Sequence, residues 1–362
     1  MAISQEFWHG KKVFITGHTG FKGSWLALWL QKLGANVCGY SLPEKSIPSH
    51  WNLLNLNIRS EIADIRDSQR LEKIFREFQP EIVFHLAAQA LVRASYREPV
   101  ETYSTNVMGT LHVFEACRKT DSVKAIVNVT SDKCYENKEW NRGYKEEDAM
   151  GGHDPYSSSK ACSEILTASY RNSYFPTQEY GIKHHTLLAS CRAGNVIGGG
   201  DWAEDRLIPD IMRSVAKGSL VEIRNPRAIR PWQHLLEPLS GYLLVARRLW
   251  EGKTELATGW NFGPSSIEAI SVEQVVKYVK SHWDKIDYRL ATSAGAPHEA
   301  SILKLDCSKA HKQLGWSPVW DVAVGFEKTV RWYREFYEYG NLLTESDISS
   351  YMKQIKPEWG AL

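Results

Sequence analysis

Short apolar runs, each closed by glycine or a polar cluster, alternate with longer stretches whose apolar residues recur every three or four positions. Lys12-Val13-Phe14-Ile15-Thr16 is the first such run. It shows no polar alternation, which predicts a strand buried on both faces of a parallel sheet. Ser24 to Leu33 has helical spacing. Asn36 to Tyr40, Ile58 to Ile65, Glu81 to Leu86, Lys124 to Thr130 and His184 to Cys191 read as further strands. Ser68 to Phe78 and Pro99 to Arg118 read as helices between them, the second with proline near its first turn. Strand and helix in strict alternation predict an α/β fold with a doubly wound parallel sheet and right-handed crossovers.

The alternation stops after Cys191. A Gly-rich loop follows, from Arg192 to Trp202. Arg206-Leu207-Ile208-Pro209 begins a helix, Val221 to Arg224 is a short strand, and Leu235 to Trp250 is an amphipathic helix. Val324 to Tyr337 is helical and rich in aromatics. Residues 1–190 are therefore expected to form the sheet domain and 191–362 mainly a smaller C-terminal lobe, with segments near 225–260 returning to the first. No repeat, low-complexity tract or clear linker separates the two.

The first strand runs into Gly17-His18-Thr19-Gly20-Phe21-Lys22-Gly23 and then into a helix. Strand, glycine turn, helix is the context of a Rossmann-type dinucleotide site. Gly17 makes the tight turn, Gly20 lets the backbone approach a diphosphate, and the helix N-terminus faces its negative charge. Thr19, Phe21, Lys22 and Gly23 complete that cradle. The second strand ends in Tyr40-Ser41-Leu42-Pro43, with no acid before Glu44 to hold a ribose. It offers no Arg for a 2′-phosphate either, so NAD is expected rather than NADP. Asp64, followed by Ile65, is placed to meet an adenine amino group, or equally to sit as an acid at a helix N-terminus. Ala87-Ala88-Gln89 follows the fourth strand, where small residues admit a cofactor.

The candidate chemistry lies in two segments. Tyr156 and Lys160 are four apart on one helix, hence on one face. An ammonium beside a phenol favours the phenolate and fits the Tyr for proton transfer. Ser131-Asp132-Lys133 follows the fifth strand at the carboxyl end of the sheet, where open α/β folds bind ligands. Arg227 and Arg230 lie near Trp232 and His234, a grouping suited to a nucleotide diphosphate. For Arg224 and Arg227 the surface reading stands equally.

Composition narrows the class. The chain has 362 residues, 43% apolar and 24% charged, with a formal net charge of +2. That balance argues against nucleic acid or a membrane surface as partner. No apolar run reaches spanning length. Met1 to Gly10 lacks the apolar core of a secretory leader. The six scattered cysteines read as buried small side chains in a reducing, cytoplasmic compartment. No metal-ligating set is apparent.

With these residues in hand, the chain resembles the extended short-chain dehydrogenase/reductases, and within them the CDP-glucose 4,6-dehydratases of bacterial dideoxyhexose synthesis. The resemblance covers nearly the whole chain. It rests on Gly17 to Trp25, His85 to Arg93, Thr130 to Tyr135, Gly198 to Trp202 and Arg230-Pro231-Trp232-Gln233-His234. It implies tightly held NAD, a sugar-nucleotide substrate (CDP-glucose) and a homodimer or homotetramer. The implied pairing uses the helix after Pro99 and the Tyr156 helix. It places substrate contacts on Asn195, Arg206, Leu207, Arg230 and Trp232. It also implies an internal redox cycle. Tyr156 takes the C4 hydroxyl proton while Lys160 holds the cofactor ribose and lowers the Tyr pKa, and Ser131 bonds the C4 oxygen. Asp132 is the candidate acid for the leaving C6 hydroxyl. Lys133 is the candidate base at C5, or else positions the C6 oxygen. Related dTDP-glucose enzymes carry Thr-Asp-Glu where this chain has Ser131-Asp132-Lys133. The region of Pro297-His298-Glu299 lacks the Arg that binds the diphosphate in related epimerases. A 4-epimerase or reductase needs the Tyr and Lys but not the Asp132-Lys133 pair, so the pair points to elimination. A non-catalytic NAD-binding regulator would not need an intact Tyr156, Lys160 and triplet.

Overall fold

The computed structural model describes residues 4–44, 46–223, 226, 228–264, 270–290 and 303–355. Arg224, Arg227 and Pro297-His298-Glu299, singled out above, lie outside them. Seven strands form one sheet: β1 (Lys12–Thr16), β2 (Asn36–Ser41), β3 (Arg59–Ile62), β4 (Ile82–His85), β5 (Ala125–Val129), β6 (Leu187–Ala193) and β7 (Gly259–Phe262). Their order is β3-β2-β1-β4-β5-β6-β7. Every pairing is parallel. The order reverses between β1 and β4, which opens the crevice where such sheets bind ligands.

The central strands are buried along almost their whole length, as their unbroken apolar runs require. One core face packs Val13, Ile15, Phe84, Val127 and Leu187 against helices α1 (Phe21–Lys32) and α3 (Leu236–Trp250). The other packs Phe14, Val83, Ile126 and Leu188 beneath Ser68–Phe78 and Thr110–Arg118. β3 is shorter than its apolar pattern predicts. It is a sheet edge, mostly solvent-facing, and Asp64 and Ile65 fall beyond its end.

Two elements depart from the expected helices. Val92–Arg97 forms a short helix of its own. The helix after Pro99 is not uniform: Ser104–Gly109 is π-helical between Pro99–Tyr103 and Thr110–Arg118. α2 (Pro155–Ser173) begins where Asp154 caps it, its carboxylate accepting from Ser157 N at 2.9 Å, with Pro155 in the first turn.

The second half does not stand apart. α3 covers β5 and β6, and Gly259–Phe262 pairs with Ser190–Ala193 as the last strand of the sheet. The rest of that half is built from short pairs, such as Val196–Ile197 with Gln233–His234 and Val221–Ile223 with Tyr288–Leu290. An aromatic stack locks them to Val322–Tyr339: Trp332 packs on Trp202, Tyr333 and Phe336. Among the described residues no helix is long and apolar enough to cross a membrane.

Candidate active site

The glycine turn leaves no space for side chains. Gly17 adopts φ +78°, and a Cβ there would meet Ala87 N at 2.8 Å. A Cβ on Gly23 would stand 2.0 Å from the Gly17 carbonyl oxygen. α1 starts at this turn without a side-chain cap on Gly20, which leaves its positive end for an anion. These features fit a dinucleotide diphosphate. Gly23→Ala is therefore expected to cost about 3 kcal/mol or more through backbone overpacking. Calorimetry should show dinucleotide binding lost with it.

Hydroxyls and neutral imidazoles hold the cradle. His85 bonds Thr16 Oγ1 at 2.7 Å and Thr110 Oγ1 at 3.0 Å. His50 bonds Ser24 Oγ at 2.7 Å and Thr344 Oγ1 at 2.9 Å, and His18 bonds Ser60 Oγ at 2.7 Å. Burial holds His50, His85 and His234 down to about 3 and His18 to about 4. Their unfolded value lies near 6.5, so between about pH 6.5 and 4 the unfolded chain binds more protons than the native one. Their contribution is complete above 6.5 and is lost as pH falls, at up to about 1.4 kcal/mol per unit for each ring. Asp132 and Asp347, raised by burial, offset part of this. The urea midpoint is expected to drop steeply below about pH 6; a flat profile down to pH 4.5 would contradict the neutral imidazoles.

At the end of β2 the missing acid is replaced by hydroxyls: Thr19 Oγ1 lies 2.9 Å from Ser41 Oγ and donates to the Leu42 carbonyl at 2.8 Å. Asp64 is engaged by Arg66, whose Nε and backbone N each lie 2.9 Å from its carboxylate, and this bonding holds its pKa down. Ile65 is buried, and its carbonyl is 3.1 Å from His112 Nδ1. Ala87 N donates to Thr16 Oγ1. The Gln89 side chain is fully engaged locally, donating to Leu91 O and Thr102 Oγ1 and accepting from Leu91 N. Ala88 stands beside it on the same strand end.

Sequence reasoning missed Asn106. It lies in the π-helical segment, accepts from Gln89 N at 2.8 Å, and donates to Gln89 O at 3.0 Å and Ser159 Oγ at 2.8 Å. It thus fastens the segment after β4 to α2 at Ser159, next to Lys160. A buried Asn inside a helix pattern is the signal that could have marked it, because such residues disfavour helix interiors.

Tyr156 is 8% exposed, and its backbone N donates to Ser95 Oγ at 3.1 Å. Burial pushes its phenol up to about 12, opposed by the Ser131 hydroxyl and the charge of Arg206. The Lys160 ammonium donates to the Val129 carbonyl at 3.2 Å. Burial brings Lys160 down to about 8. One turn later Glu164 is buried against Arg192, Thr130 and Ser190 and ties α2 to the ends of β5 and β6.

Asp132 is 2% exposed and opens a single 3₁₀ turn after β5. Its Oδ1 accepts from Ser131 Oγ at 2.9 Å, while Oδ2 is buried without a partner among the described residues. Burial raises its pKa against the pull of Lys133, Ser131, Arg230 and Lys22. Such a carboxyl is suited to hold a proton and give it up. Lys133 is half-buried beside it. Gly194 and Pro231 close over it: a Cβ on Gly194 would be 3.2 Å from Asp132 Oδ2 and 2.8 Å from the Pro231 ring.

The remaining candidates arrive from the second half. Arg206 donates to Asp201 Oδ2 at 2.9 Å and acts on Tyr156, and Leu207 opens the helix that follows. Arg230 is buried and acts on Asp132. Trp232 is buried with its indole N–H unpartnered among the described residues, and Asn195 accepts from Gln233 N through its backbone. Lys22 reaches from the glycine turn into this group, 5.9 Å from the Tyr242 ring centre, and burial beside Lys160 and Arg206 lowers it to about 8. Tyr242, on α3, was not foreseen; an aromatic in an apolar helix reads as core. Asp64 and Ile65 stand apart, at the far edge of the sheet. Among the described residues no cluster could hold a metal ion.

Residues 14–330 match the family described as GDP-mannose 4,6 dehydratase. A CDP-glucose 4,6-dehydratase from Salmonella typhimurium is 52% identical over 97% of this chain and 98% of its own length. Among solved structures, dTDP-glucose 4,6-dehydratase from Bacillus anthracis in complex with NAD superimposes with TM-score 0.74 at 20% identity, over 91% of this chain and 98% of that one. UDP-glucose 4-epimerase from Thermus thermophilus in complex with NAD does so with TM-score 0.75 at 24% identity, over 89% and 99%. These two show the shared fold. The chain therefore belongs to the GDP-mannose 4,6-dehydratase family of extended short-chain dehydrogenase/reductases, with the Salmonella CDP-glucose 4,6-dehydratase among its relatives.

Proposed function

We propose that this chain is a hydro-lyase that converts CDP-glucose to CDP-4-dehydro-6-deoxyglucose with NAD, on the route to dideoxy sugars of bacterial surface polysaccharide. The observation that carries the reading is Asp132, buried with its Oδ2 unpartnered among the described residues and its pKa raised by burial, in the same site as Tyr156. A plain 4-epimerase or reductase has no use for an acid there. The sugar nucleotide follows from the 52% identical relative.

The glycine turn and α1 would hold the diphosphate of NAD and Lys160 its ribose, and the cofactor would supply hydride exchange between C4 and C6. Tyr156 removes the C4 hydroxyl proton. Ser131 bonds the C4 oxygen. The C4 ketone acidifies C5, Lys133 takes the C5 proton, and Asp132 protonates the C6 hydroxyl as it leaves as water. Arg206, Arg230 and Trp232, with Asn195 and Leu207, form the wall that receives the nucleotide.

Exposed apolar side chains support a dimer through the helices on either side of this site: Val100 and Met108 on one, Ile165 on the other. The free cysteines, five of six buried, suit a reducing cytoplasm. Incubation with NAD and CDP-, dTDP-, UDP- or GDP-glucose, read by mass, tests the assignment. Loss of one water from CDP-glucose alone is expected. A product of unchanged mass would make the chain an epimerase instead.

A further inference from the structure

The short turn that carries Asp132 and Lys133 is held at both ends by one buried ion pair. Glu164 and Arg192 are each 5% exposed, and Glu164 Oε2 accepts from Arg192 Nη2 at 2.8 Å. Burial alone would raise the Glu164 carboxyl, but Arg192, Thr130 and Ser190 together hold it below its usual value, so the pair is charged. A buried ion pair is weak evidence of stability, because taking both charges out of water costs about what their attraction returns. What the pair touches is more telling.

Glu164 Oε1 accepts from Thr130 Oγ1 at 2.5 Å, and Thr130 directly precedes Ser131-Asp132-Lys133. Arg192 Nη1 donates to the Tyr135 hydroxyl at 2.7 Å, and Tyr135 directly follows the Asp132–Cys134 turn. The Tyr135 hydroxyl donates in turn to Asn261 Oδ1 on β7 at 2.7 Å. The guanidinium is closely seated: a Cβ on Gly259 would stand 2.7 Å from its Nη2. Glu164 itself belongs to α2, one turn past Lys160, on the helix that also carries Tyr156. Nearer the middle of β5, α2 grips the strand through Ser163 and Thr167, which accept from Asn128 Nδ2 at 3.0 and 2.8 Å. Glu164 carries that grip on to Thr130, at the foot of the turn.

We propose that Glu164 and Arg192 are positioning residues that fix the turn of Asp132 and Lys133 at a set distance from Tyr156 and Lys160. Oxidation at C4 and loss of water across C5 and C6 then act on one hexose that stays where it is bound. The helix group serves the first step and the turn group the second. A shift of about 1 Å between the two groups is enough to cost a step about a hundredfold. The proposal rests on the dehydration reading. It adds to it the ion pair and the two residues, Thr130 and Tyr135, through which the pair holds the turn.

Glu164→Ala would strand the Arg192 charge in the core and endanger the fold, so the ends of the turn are the better targets. Thr130→Val removes the hydroxyl that Glu164 holds and keeps nearly the same shape. Tyr135→Phe does so at the other end. Both leave the ion pair in place. NAD-loaded enzyme is mixed with CDP-glucose and two rates are followed: reduced nicotinamide by absorbance, which reads oxidation at C4, and the dehydrated sugar by rapid quench and mass. In each variant the ratio of oxidation rate to water-loss rate is expected to rise about tenfold to a hundredfold over wild type, with reduced nicotinamide accumulating. Thr130→Ser, which keeps the hydroxyl, should hold the wild-type ratio. A purely structural role would lower the amount of folded enzyme, and with it both rates alike, leaving the ratio unmoved. An unchanged ratio in either Thr130→Val or Tyr135→Phe, beside a wild type that dehydrates normally, overturns the positioning role alone. A wild type that releases no water overturns the functional reading, and the positioning role with it.

Discussion

Tyr156→Phe is expected to lower kcat by about a thousandfold or more, while dinucleotide affinity stays within about threefold of wild type. The substitution deletes one oxygen from a ring that is otherwise held by packing in α2 and by its backbone bond to Ser95. The fold and the cradle do not depend on that oxygen. What disappears is the proposed base for the C4 hydroxyl, and hydride cannot leave C4 unless that proton goes too. Stopped-flow spectra of the variant with NAD and CDP-glucose should show no reduced nicotinamide on the time scale of wild-type turnover. If reduced nicotinamide forms at the normal rate, Tyr156 is not the C4 base and the site must be rebuilt around another group.

Asp132→Asn is expected to stop the reaction one step later. The amide matches the carboxyl in shape, and its oxygen can still accept from Ser131, so the turn at Asp132–Cys134 should keep its form. It has no acidic proton to give. Oxidation at C4 is expected to proceed and water loss to fall by about a hundredfold to ten-thousandfold. Reduced nicotinamide should therefore accumulate on the enzyme to about one per site, and mass spectra should show a ketosugar that retains its C6 oxygen. Because burial already raises the Asp132 pKa, Asn mimics the protonated form and should not destabilise the fold. Normal release of water from this variant would move the acid to Lys133.

The sheet was legible because its strands are buried on both sides, which leaves unbroken apolar runs such as Val13-Phe14-Ile15 and Ile82-Val83-Phe84. The strand Gly259–Phe262 was not, and the reason is Asn261. It occupies the middle of a buried strand, where its side chain accepts from Tyr135 and donates to Tyr144 O and Asp306 O, so no apolar run marks it. The π-helical turn at Ser104–Gly109 keeps an ordinary helical residue pattern and shows only in the backbone. The groups proposed as catalytic could be singled out because Ser131-Asp132-Lys133 and Tyr156 to Lys160 are each compact in sequence. Lys22 and Tyr242 come from segments more than two hundred residues apart and meet only in the folded chain. The effect of burial on Tyr156 was likewise beyond reach, since it depends on what closes over the ring.

The last strand of the sheet has a consequence for how the chain can be divided. Gly259–Phe262 covers the outer side of Leu187–Ala193 through parallel hydrogen bonding, and α3 arrives with it. A fragment that stopped just after Ala193 would expose a strand buried along its whole length, with unpaired N–H and C=O groups on its outer side, a template for stacking one copy on the next. The cofactor half is thus not a detachable module: its solubility is supplied by residues translated some seventy positions later.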